Sequence, residues 1–458
     1  MDTARLNADE TTDPLGLGVE RFRALAHGVV DRVADHWAEL DAAAVVGRAD
    51  ATALAALSGP APRAPGDIEE LLQVLATQAL PNMQHAAHPR YFARVPSPAS
   101  LTGILGDWLG IGYNAIASSW SGGSGPSQLE LLVVDWLREL IGLPPGAEGV
   151  LVSGGSLGNI TALAAARAAG YDGSVLLSDQ THASIGRGLR VLGYAREQIT
   201  VIPTGADYRW EAGAVRAAIG ERNRGRAIVI GTAGYTNTGG VDPLDELGEL
   251  CGAFDLWFHV DGAYGAPAAL APSGAAALVG IERADSLTLD PHKWLFQPYD
   301  LGCVLVRRAG ALEACFAISP EYLRDVQSTD VEEVDMHNRG LELSRRARAV
   351  KLWLTLASHG TDAIAAAIER SIVLAQQVQA LLERDPEWEI VTPAQLGVIT
   401  FARRRLDGPG HAERARRLTE SGFAAVSCTE LRGGTVYRLC LINPLTTLDD
   451  VTATLARL

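Results

Sequence analysis

Two segments of the sequence combine a charged side chain with the end of an apolar run, and a third is rich in glycine. In "VLVSGGSLGN", Gly154, Gly155 and Ser156 join an apolar strand to an Ala-rich helix. Glycines let a backbone approach an anion, and the free N–H groups at a helix start attract phosphate. A plain strand-to-helix turn fits as well, because neither the Walker A nor the dinucleotide-binding glycine spacing is present.

The other two segments supply a carboxylate and an amine. Asp261 ends the apolar run "LWFHVD", and the small residues after it leave room for a flat ring. A buried carboxylate needs a partner such as a protonated ring nitrogen, although a helix cap explains Asp261 equally well. Lys293 follows the next strand, "SLTLD". Because apolar surroundings disfavour an ammonium, we expect a neutral, nucleophilic amine; an isolated lysine is usually a solvated surface residue.

Together the three segments indicate one cofactor. A phosphate turn, a carboxylate and an amine are the parts that hold pyridoxal 5'-phosphate (PLP), as anion site, pyridinium partner and Schiff-base nitrogen. They stand at the ends of successive strands, where an open parallel sheet collects its ligands. The sequence therefore predicts a PLP site built around Lys293 and Asp261.

The helices and strands that must position this site are predicted from the pattern of apolar and polar residues along the sequence. Residues from about 17 to 80 have apolar positions at helical spacing, with a Pro-rich break. From about 145 to 310, short apolar runs alternate with segments of helical composition, which predicts an α/β fold with a mainly parallel sheet between helices. The last hundred residues predict a smaller α+β domain with an antiparallel sheet.

Composition excludes several classes of function. The chain has 458 residues, of which 47% are hydrophobic, and a formal net charge of -15, which disfavours a nucleic-acid partner. Five scattered cysteines indicate neither a disulfide framework nor a metal site, and fit a cytoplasmic protein. The acidic N-terminus does not resemble a secretory signal, and no apolar stretch is long enough to cross a membrane.

A family resemblance rests on five motifs: "HPRYFARVPSPAS", "SDQTHASIGRGLRVLG", "HVDGAYGAP", "DPHKWLFQPYDLGCVLVR" and "YRLCLINPLTT". They resemble the PLP-dependent group II amino-acid decarboxylases, which include the aromatic-L-amino-acid, glutamate and diaminobutyrate enzymes. The resemblance implies a fold type I homodimer with a seven-stranded sheet and active sites at the interface. It divides the chain into an N-terminal helical dimerisation segment (1–84), a large PLP-binding domain (85–349) and a small C-terminal domain (350–458).

The resemblance also assigns residues. Lys293 would form the Schiff base, Asp261 would pair with the pyridine nitrogen, and His182 and Ala263 would cover the two faces of the ring. The remaining cofactor contacts would be Gly154, Gly155, Ser156, Thr236, Asp290 and His292. The substrate pocket would include Phe92, Arg94, Pro96, Ser97 and Trp120. Arg94 stands where aromatic-acid members carry an aromatic residue, so it would bind an anionic substrate group if it faces the pocket, or else be an ordinary surface arginine.

The implied reaction is decarboxylation of an L-amino acid through an external aldimine and a quinonoid. In the family, a tyrosine on a loop before the "RRxRxxKxW" helix returns a proton, and counting back along residues 328–353 puts Met336 at that position, beside His337. Methionine cannot donate a proton, so oxidative deamination to an aldehyde competes, unless His337 restores protonation. An aminotransferase, which would need a small-domain arginine for the substrate carboxylate, and a non-catalytic PLP carrier would use the same cofactor and stay open.

Overall fold

The computed structural model describes residues 12–220, 223–318 and 332–458. The first eleven residues of the predicted 1–84 segment, and residues 328–331 of the predicted loop, lie outside the described residues. Among the helices that are described, none is both long enough and apolar enough to cross a membrane.

In the described part of the chain, four α-helices precede the first strand. They are α1 (Val19–Ala38), α2 (Ile68–Val74), α3 (Leu101–Gly112) and α4 (Trp120–Ile141). Helix α1 carries apolar residues at intervals of three and four, as predicted, yet it contains no buried residue. Phe22 of α1 is 58% exposed, and Leu105 of α3 is 53% exposed. Both helices thus present apolar faces that this chain leaves uncovered.

The large sheet confirms the prediction of a mainly parallel, seven-stranded sheet. Its strand order is β1-β7-β6-β5-β4-β2-β3, and β7 runs antiparallel to both of its neighbours. The central strands are buried along their whole length, which explains their continuous apolar runs. The strands are β1 (Glu148–Val152), β2 (Val175–Ser178), β3 (Ile199–Ile202), β4 (Ile228–Thr232), β5 (Trp257–Asp261), β6 (Ser286–Leu289) and β7 (Gly302–Val306).

Short helices connect these strands and lie against the sheet. They are α5 (Gly155–Ala168), α6 (Ala183–Val191), α7 (Ala212–Ala218), α8 (Leu244–Phe254), α9 (Pro272–Ala277), α10 (Pro291–Trp294) and α11 (Ala311–Phe316). Helix α5 starts directly after β1 and packs against α6, β6 and β7. The strand-to-helix turn predicted at Gly154 is therefore real, and it opens at the carboxyl end of β1.

The small domain follows a long helix, α12 (Ala349–Glu383). Its sheet is antiparallel, as predicted, and has the order β10-β11-β9-β8, although β10 has no apolar run that would predict it. Arg432 and Gly433 join β10 to β11 with φ of 49° and 82°, as a two-residue hairpin turn requires. The elements are β8 (Trp388–Gln395), β9 (Val398–Arg403), α13 (Gly408–Glu420), β10 (Ser427–Leu431), β11 (Gly434–Cys440) and α14 (Leu448–Leu455).

One segment from far upstream completes the small domain. The backbone N–H of Phe92 donates to Ala425 O at 2.8 Å, and the N–H of Cys440 donates to Phe92 O at 3.0 Å. The Phe92 ring is fully buried in the small-domain core with Phe401 and Tyr437. The small domain therefore depends on a residue that lies outside the predicted 350–458 boundary.

Candidate active site

A cavity of about 310 Å³ opens where five strands of the large sheet end. Its walls come from the loops after β1, β2, β4, β5 and β6, so it lies at the edge predicted from the strand order. Every residue predicted to bind the cofactor lines it. The lining residues are Ser153, Gly154, Gly155, Ser156, Leu157, Asn159, Gln180, His182, Ser184, Thr232, Gly234, Thr236, Asp261, Ala263, Tyr264, Asp290, His292 and Lys293.

The glycine turn after β1 is packed so closely that a larger residue would require its neighbours to shift. A Cβ on Gly154 would lie 3.1 Å from His292 Cε1, and one on Gly155 would lie 3.0 Å from both Ala263 Cβ and Asp290 Oδ2. Helix α5 begins at Gly155, so the N–H groups of its first turn have no partner within the helix and face this end of the cavity. The turn has the backbone geometry and polarity of an anion site.

Asp261 is held in one orientation at the end of β5. The carboxylate is 5% exposed, and its Oδ2 accepts a hydrogen bond from Asn159 Nδ2 at 3.0 Å. Its Oδ1 accepts from the backbone N–H of Ala263 at 3.2 Å. The two donors fix both carboxylate oxygens, which suits Asp261 to receive a proton-bearing ring nitrogen.

The expectation of a neutral Lys293 amine is corrected by the structure. Lys293 Nζ lies 2.9 Å from Asp290 Oδ2, and the Asp290 side chain is itself nearly inaccessible. Burial lowers the pKa of Lys293, but the charge of Asp290 and its hydrogen bond outweigh burial, so the pKa lies above its usual range. The lysine is therefore held as an ammonium by a neighbour that the apolar sequence around it did not reveal.

His292 and His182 are arranged differently. His292 Nε2 lies 3.6 Å from Asp290 Oδ2, while burial lowers the pKa of the imidazole despite that carboxylate. His182 caps α6: its Nδ1 accepts from the Ser184 N–H at 3.3 Å and lies 2.8 Å from Ser184 Oγ. With Nδ1 occupied as an acceptor, a neutral His182 carries its proton on Nε2.

The cavity fits the cofactor that the sequence predicted. It combines an anion site at a helix start, a fixed carboxylate and a lysine amine within one enclosure. Two buried polar atoms in its walls, Asp290 Oδ1 and Thr232 Oγ1, have no hydrogen-bond partner among the described residues. Polar atoms left in this way are expected where a bound group completes a site.

The predicted substrate-pocket residues do not line this cavity. Phe92 is corrected outright, because its ring belongs to the small-domain core. Arg94 is exposed, and its Nη1 donates to Gln84 Oε1 at 3.3 Å. Ser97 is buried and its hydroxyl donates to His292 O, so it supports the cavity wall from behind. Pro96 is also buried. Trp120 begins α4, and its backbone N–H donates to Asp335 Oδ1 at 2.8 Å.

Met336 and His337 do not line the cavity either. They lie in a 3-10 helix, Met336–Arg339, and the Met336 side chain is completely buried in the core beside Val150 and Val304. His337 is 3% exposed, and its Nδ1 lies 3.0 Å from Ser118 O.

Several cavity residues were missed from the sequence. Asn159 lies four residues after Gly155, one helical turn further along the same face of α5, so the spacing alone could have indicated it. Ser184 follows His182 by two residues in a capping position. Tyr264, whose ring stacks on Trp294 at 5.2 Å, and Gln180 had no comparable signal.

Comparisons with known proteins agree with this geometry over most of the chain. A family model described as the pyridoxal-dependent decarboxylase conserved domain matches residues 52–404. The chain is 42% identical over 456 residues to the aromatic-L-amino-acid decarboxylase of Bacillus atrophaeus, covering 96% of this chain and 95% of the relative. It is 31% identical over 431 residues to the phenylacetaldehyde synthase of Petunia hybrida, covering 88% and 84%.

A similarity to solved structures extends further still. The structure of Oryza sativa TDC with PLP and tryptamine superposes with a TM-score of 0.90 at 26% identity, and covers 97% of this chain and 98% of that one. The N-terminal helices, the large sheet and the small domain are therefore all parts of one shared architecture.

Proposed function

The chain belongs to the pyridoxal-dependent decarboxylase family, and from this premise we propose that its substrates are aromatic L-amino acids. It is a PLP-dependent lyase of fold type I that decarboxylates an amino acid. The observation that carries the substrate class is the 42% identity, over 96% of the chain, to an aromatic-L-amino-acid decarboxylase. No arginine is among the described residues that line the cavity, so these residues offer no guanidinium to an acidic substrate side chain.

Each chemical group in the cavity has a role in this proposal. PLP, when bound, supplies an electron sink for the pair of electrons that the departing carboxylate leaves behind. Asp261 keeps a positive charge on the pyridine nitrogen, and Lys293 provides the nitrogen that holds the cofactor. The N–H groups at the start of α5, with Ser156, bind its phosphate, and His182 and Ala263 confine the ring.

The product is an amine in this proposal, and oxidative deamination to an aldehyde is a minor outcome. The oxidative route depends on Met336 as the replacement of a loop tyrosine, and Met336 is buried in the core. The sequence between β7 and α12 contains a single tyrosine, Tyr322, which is outside the described residues. A phenol can donate a proton and a thioether cannot, so substitution of Tyr322 tests whether this segment supplies the proton.

An aminotransferase would need a small-domain arginine that binds the substrate carboxylate. Arg438 on β11 comes from the small domain and approaches the cavity wall, but its Nε donates to Thr236 O at 2.5 Å and its Nη1 donates to Arg94 O. The buried Nη2 of Arg438 has no partner among the described residues, but Arg438 is absent from the cavity lining, which disfavours a role in binding a substrate carboxylate.

The working form in this proposal is a cytoplasmic homodimer. The uncovered apolar faces of α1 and α3 form a groove with Trp37, Ile104 and Trp108, which supports a second copy of the chain as its cover. All five cysteines are free, which supports a reducing compartment.

Substrate class is tested by product analysis. Purified holoenzyme is incubated in air with phenylalanine, tyrosine, tryptophan, glutamate and 2,4-diaminobutyrate, and carbon dioxide, amine, aldehyde and peroxide are measured. We expect kcat/KM for at least one aromatic acid to exceed that for glutamate by 100-fold or more, on the order of ~3 kcal/mol of discrimination. A preference for glutamate or diaminobutyrate would overturn the proposed substrate class and leave the decarboxylase assignment intact.

The product assignment has its own test. Tyr322→Phe removes one hydroxyl, and we expect it to lower the amine yield and raise aldehyde and peroxide. Met336→Leu is the matched control, since it keeps an apolar side chain at a core position and should leave the amine-to-aldehyde ratio unchanged. A changed ratio in Met336→Leu with none in Tyr322→Phe would return the decision to position 336.

A further inference from the structure

A continuous chain of hydrogen bonds runs behind the cavity, on the side of Asp261 that faces the core. Trp257 Nε1 donates to Ser286 Oγ at 2.8 Å, and Ser286 Oγ lies 2.9 Å from His259 Nδ1. His259 Nε2 lies 3.0 Å from Asn159 Oδ1, and Asn159 Nδ2 donates to Asp261 Oδ2 at 3.0 Å. All of these side chains except Asp261 are at most 1% exposed. This series of hydrogen bonds is therefore shielded from water over its whole length.

The groups at the two ends of this hydrogen-bond series determine which atom donates and which accepts at every step. An ionised Asp261 can only accept, so the Asn159 amide must turn its NH₂ toward Asp261 and its Oδ1 toward His259. His259 Nε2 must then carry a proton. Burial lowers the pKa of His259 to about 4, although the Asp261 charge opposes this, so the ring is neutral and its Nδ1 is an acceptor.

The far end agrees with that direction. Since His259 Nδ1 accepts, the Ser286 hydroxyl donates to it, and Ser286 Oγ is left free to accept from Trp257, whose indole N–H can only donate. Every donor thus meets an acceptor from Trp257 to Asp261. The reverse orientation would turn Asn159 Oδ1 toward the carboxylate, and it is coherent only if Asp261 is protonated.

A branch of the same hydrogen-bond series reaches His182. The second N–H of the Asn159 amide donates to Ser184 Oγ at 3.2 Å, and Ser184 Oγ lies 2.8 Å from His182 Nδ1. Because Nδ1 of His182 also accepts the Ser184 backbone N–H, the hydroxyl of Ser184 donates to it. One amide, that of Asn159, is therefore joined to both Asp261 and His182.

We infer that Asn159 and His259 are positioning residues that hold Asp261 as an ionised acceptor toward the cofactor and His182 with its proton on Nε2. Neither residue touches the reacting atoms through this chain. The inference requires the PLP site, but it is independent of the aromatic substrate and of the product. Its signature is the tautomeric state of His259, which a residue that only fills space would not control.

The first test reads that state directly. Holoenzyme labelled with ¹⁵N in its histidine rings is examined by two-bond ¹H–¹⁵N correlation NMR, with the His259 and His182 signals identified by their loss in His259→Gln and His182→Gln. We expect the His259 ring to be neutral with its proton on Nε2 between pH 6 and pH 8. A proton on Nδ1 of His259, or a charged His259 ring, would overturn the inference.

The second test uses binding of PLP rather than turnover. His259→Gln keeps a donor for Asn159 Oδ1, whereas His259→Leu leaves that oxygen buried without one. The dissociation constant for PLP should rise about tenfold in His259→Leu, the scale of one lost buried hydrogen bond, and much less in His259→Gln. Equal losses in both would show a packing role only and would contradict the inference.

A matched control comes from the small domain. His411 is 3% exposed and is also bonded on both ring nitrogens, to Thr435 O at 2.9 Å and to the Arg403 N–H at 3.0 Å. His411→Leu should lower thermal stability as His259→Leu does, yet leave the PLP dissociation constant unchanged. If His411→Leu weakens PLP binding as much as His259→Leu, general destabilisation explains both. Should both His259 variants fail to fold, Asn159→Leu must move His259 away from the Nε2–H form in the NMR test.

Discussion

The cavity and the N-terminal helices differ in how many of their side chains find partners within this single chain. In the cavity wall, Asp261, Lys293 and His182 each have a hydrogen-bonding or ionic partner from the same chain. On α1 and α3, large apolar side chains such as Phe22 and Leu105 face solvent at more than half of their surface. The cavity side chains therefore find their partners within one chain, while the N-terminal helices leave apolar surface that the proposed second copy would cover.

The first prediction concerns the residue on which the cavity depends most. Lys293→Ala should abolish the visible absorbance of bound PLP and lower kcat by at least ~10³-fold, the scale seen when a covalently acting residue is removed. Lys351→Met is the control, because Lys351 is also buried and donates to Pro298 O at 3.0 Å, but it lies outside the cavity. Absorbance and kcat are measured for both variants. Retention of the PLP absorbance in Lys293→Ala would show that Lys293 does not hold the cofactor.

The second prediction separates the two ends of the large sheet. Asp261→Asn should lower kcat by about 10²–10³-fold at saturating PLP, because a preorganised charge next to the ring is lost. Asp285→Asn changes a carboxylate just before β6 begins, where Asp285 Oδ2 accepts from the Phe258 N–H at 2.9 Å. That control should lower the melting temperature and leave kcat nearly unchanged. Similar kcat losses in the two variants would show that kcat follows stability.

The third prediction tests the uncovered region. Phe22→Glu should weaken dimerisation by roughly 10- to 100-fold, since burying a large apolar side chain is worth about 1.5–3 kcal/mol. Val191→Glu is the control, as Val191 is 69% exposed on α6, far along the chain from α1. Sedimentation velocity over a range of protein concentrations measures the dimer fraction. A wild-type chain that stays monomeric at micromolar concentration would remove the homodimer from the proposal.

The smallest expected effect lies inside the cavity. Asp290 raises the pKa of Lys293, so Asp290→Asn should lower that pKa and provide neutral amine at lower pH. The rate at which apoprotein regains PLP absorbance rises with the neutral fraction of Lys293. The pH of its half-maximum should therefore move downward. Glu389→Gln, a paired but exposed carboxylate on β8, should leave the profile in place. An upward shift in Asp290→Asn would mean that Asp290 does not hold the ammonium.

Much of this site was accessible from the sequence because strand ends are visible in it. Asp261 and Lys293 follow continuous apolar runs, and the rule that ligands gather at carboxyl ends brought them together with Gly154. The charge state of Lys293 was not accessible in that way. Its partner, Asp290, stands three residues earlier, and only the short helix α10 shows that the two side chains meet.

The environment of residues near loops was not accessible from the sequence. Counting back from the Arg345–Arg346 pair gives a position and no side-chain surroundings, and the residue at that position, Met336, is fully buried. Phe92 failed for a related reason, because aromatic content near a motif does not distinguish a pocket from a domain core. The strand β10, "SCTEL", has too few apolar residues to be predicted, and its hairpin with β11 defines it.

The pairing of Phe92 with Ala425 and Cys440 has a consequence for biosynthesis. A ribosome delivers Phe92 long before it delivers Tyr437, the ring that packs near it, and at ~5–20 residues per second the interval is roughly tens of seconds. During that time the early segment has no core to enter. The small domain, which is translated later, therefore closes over this earlier segment, and a polypeptide that starts at residue 350 would lack a piece of its own interior.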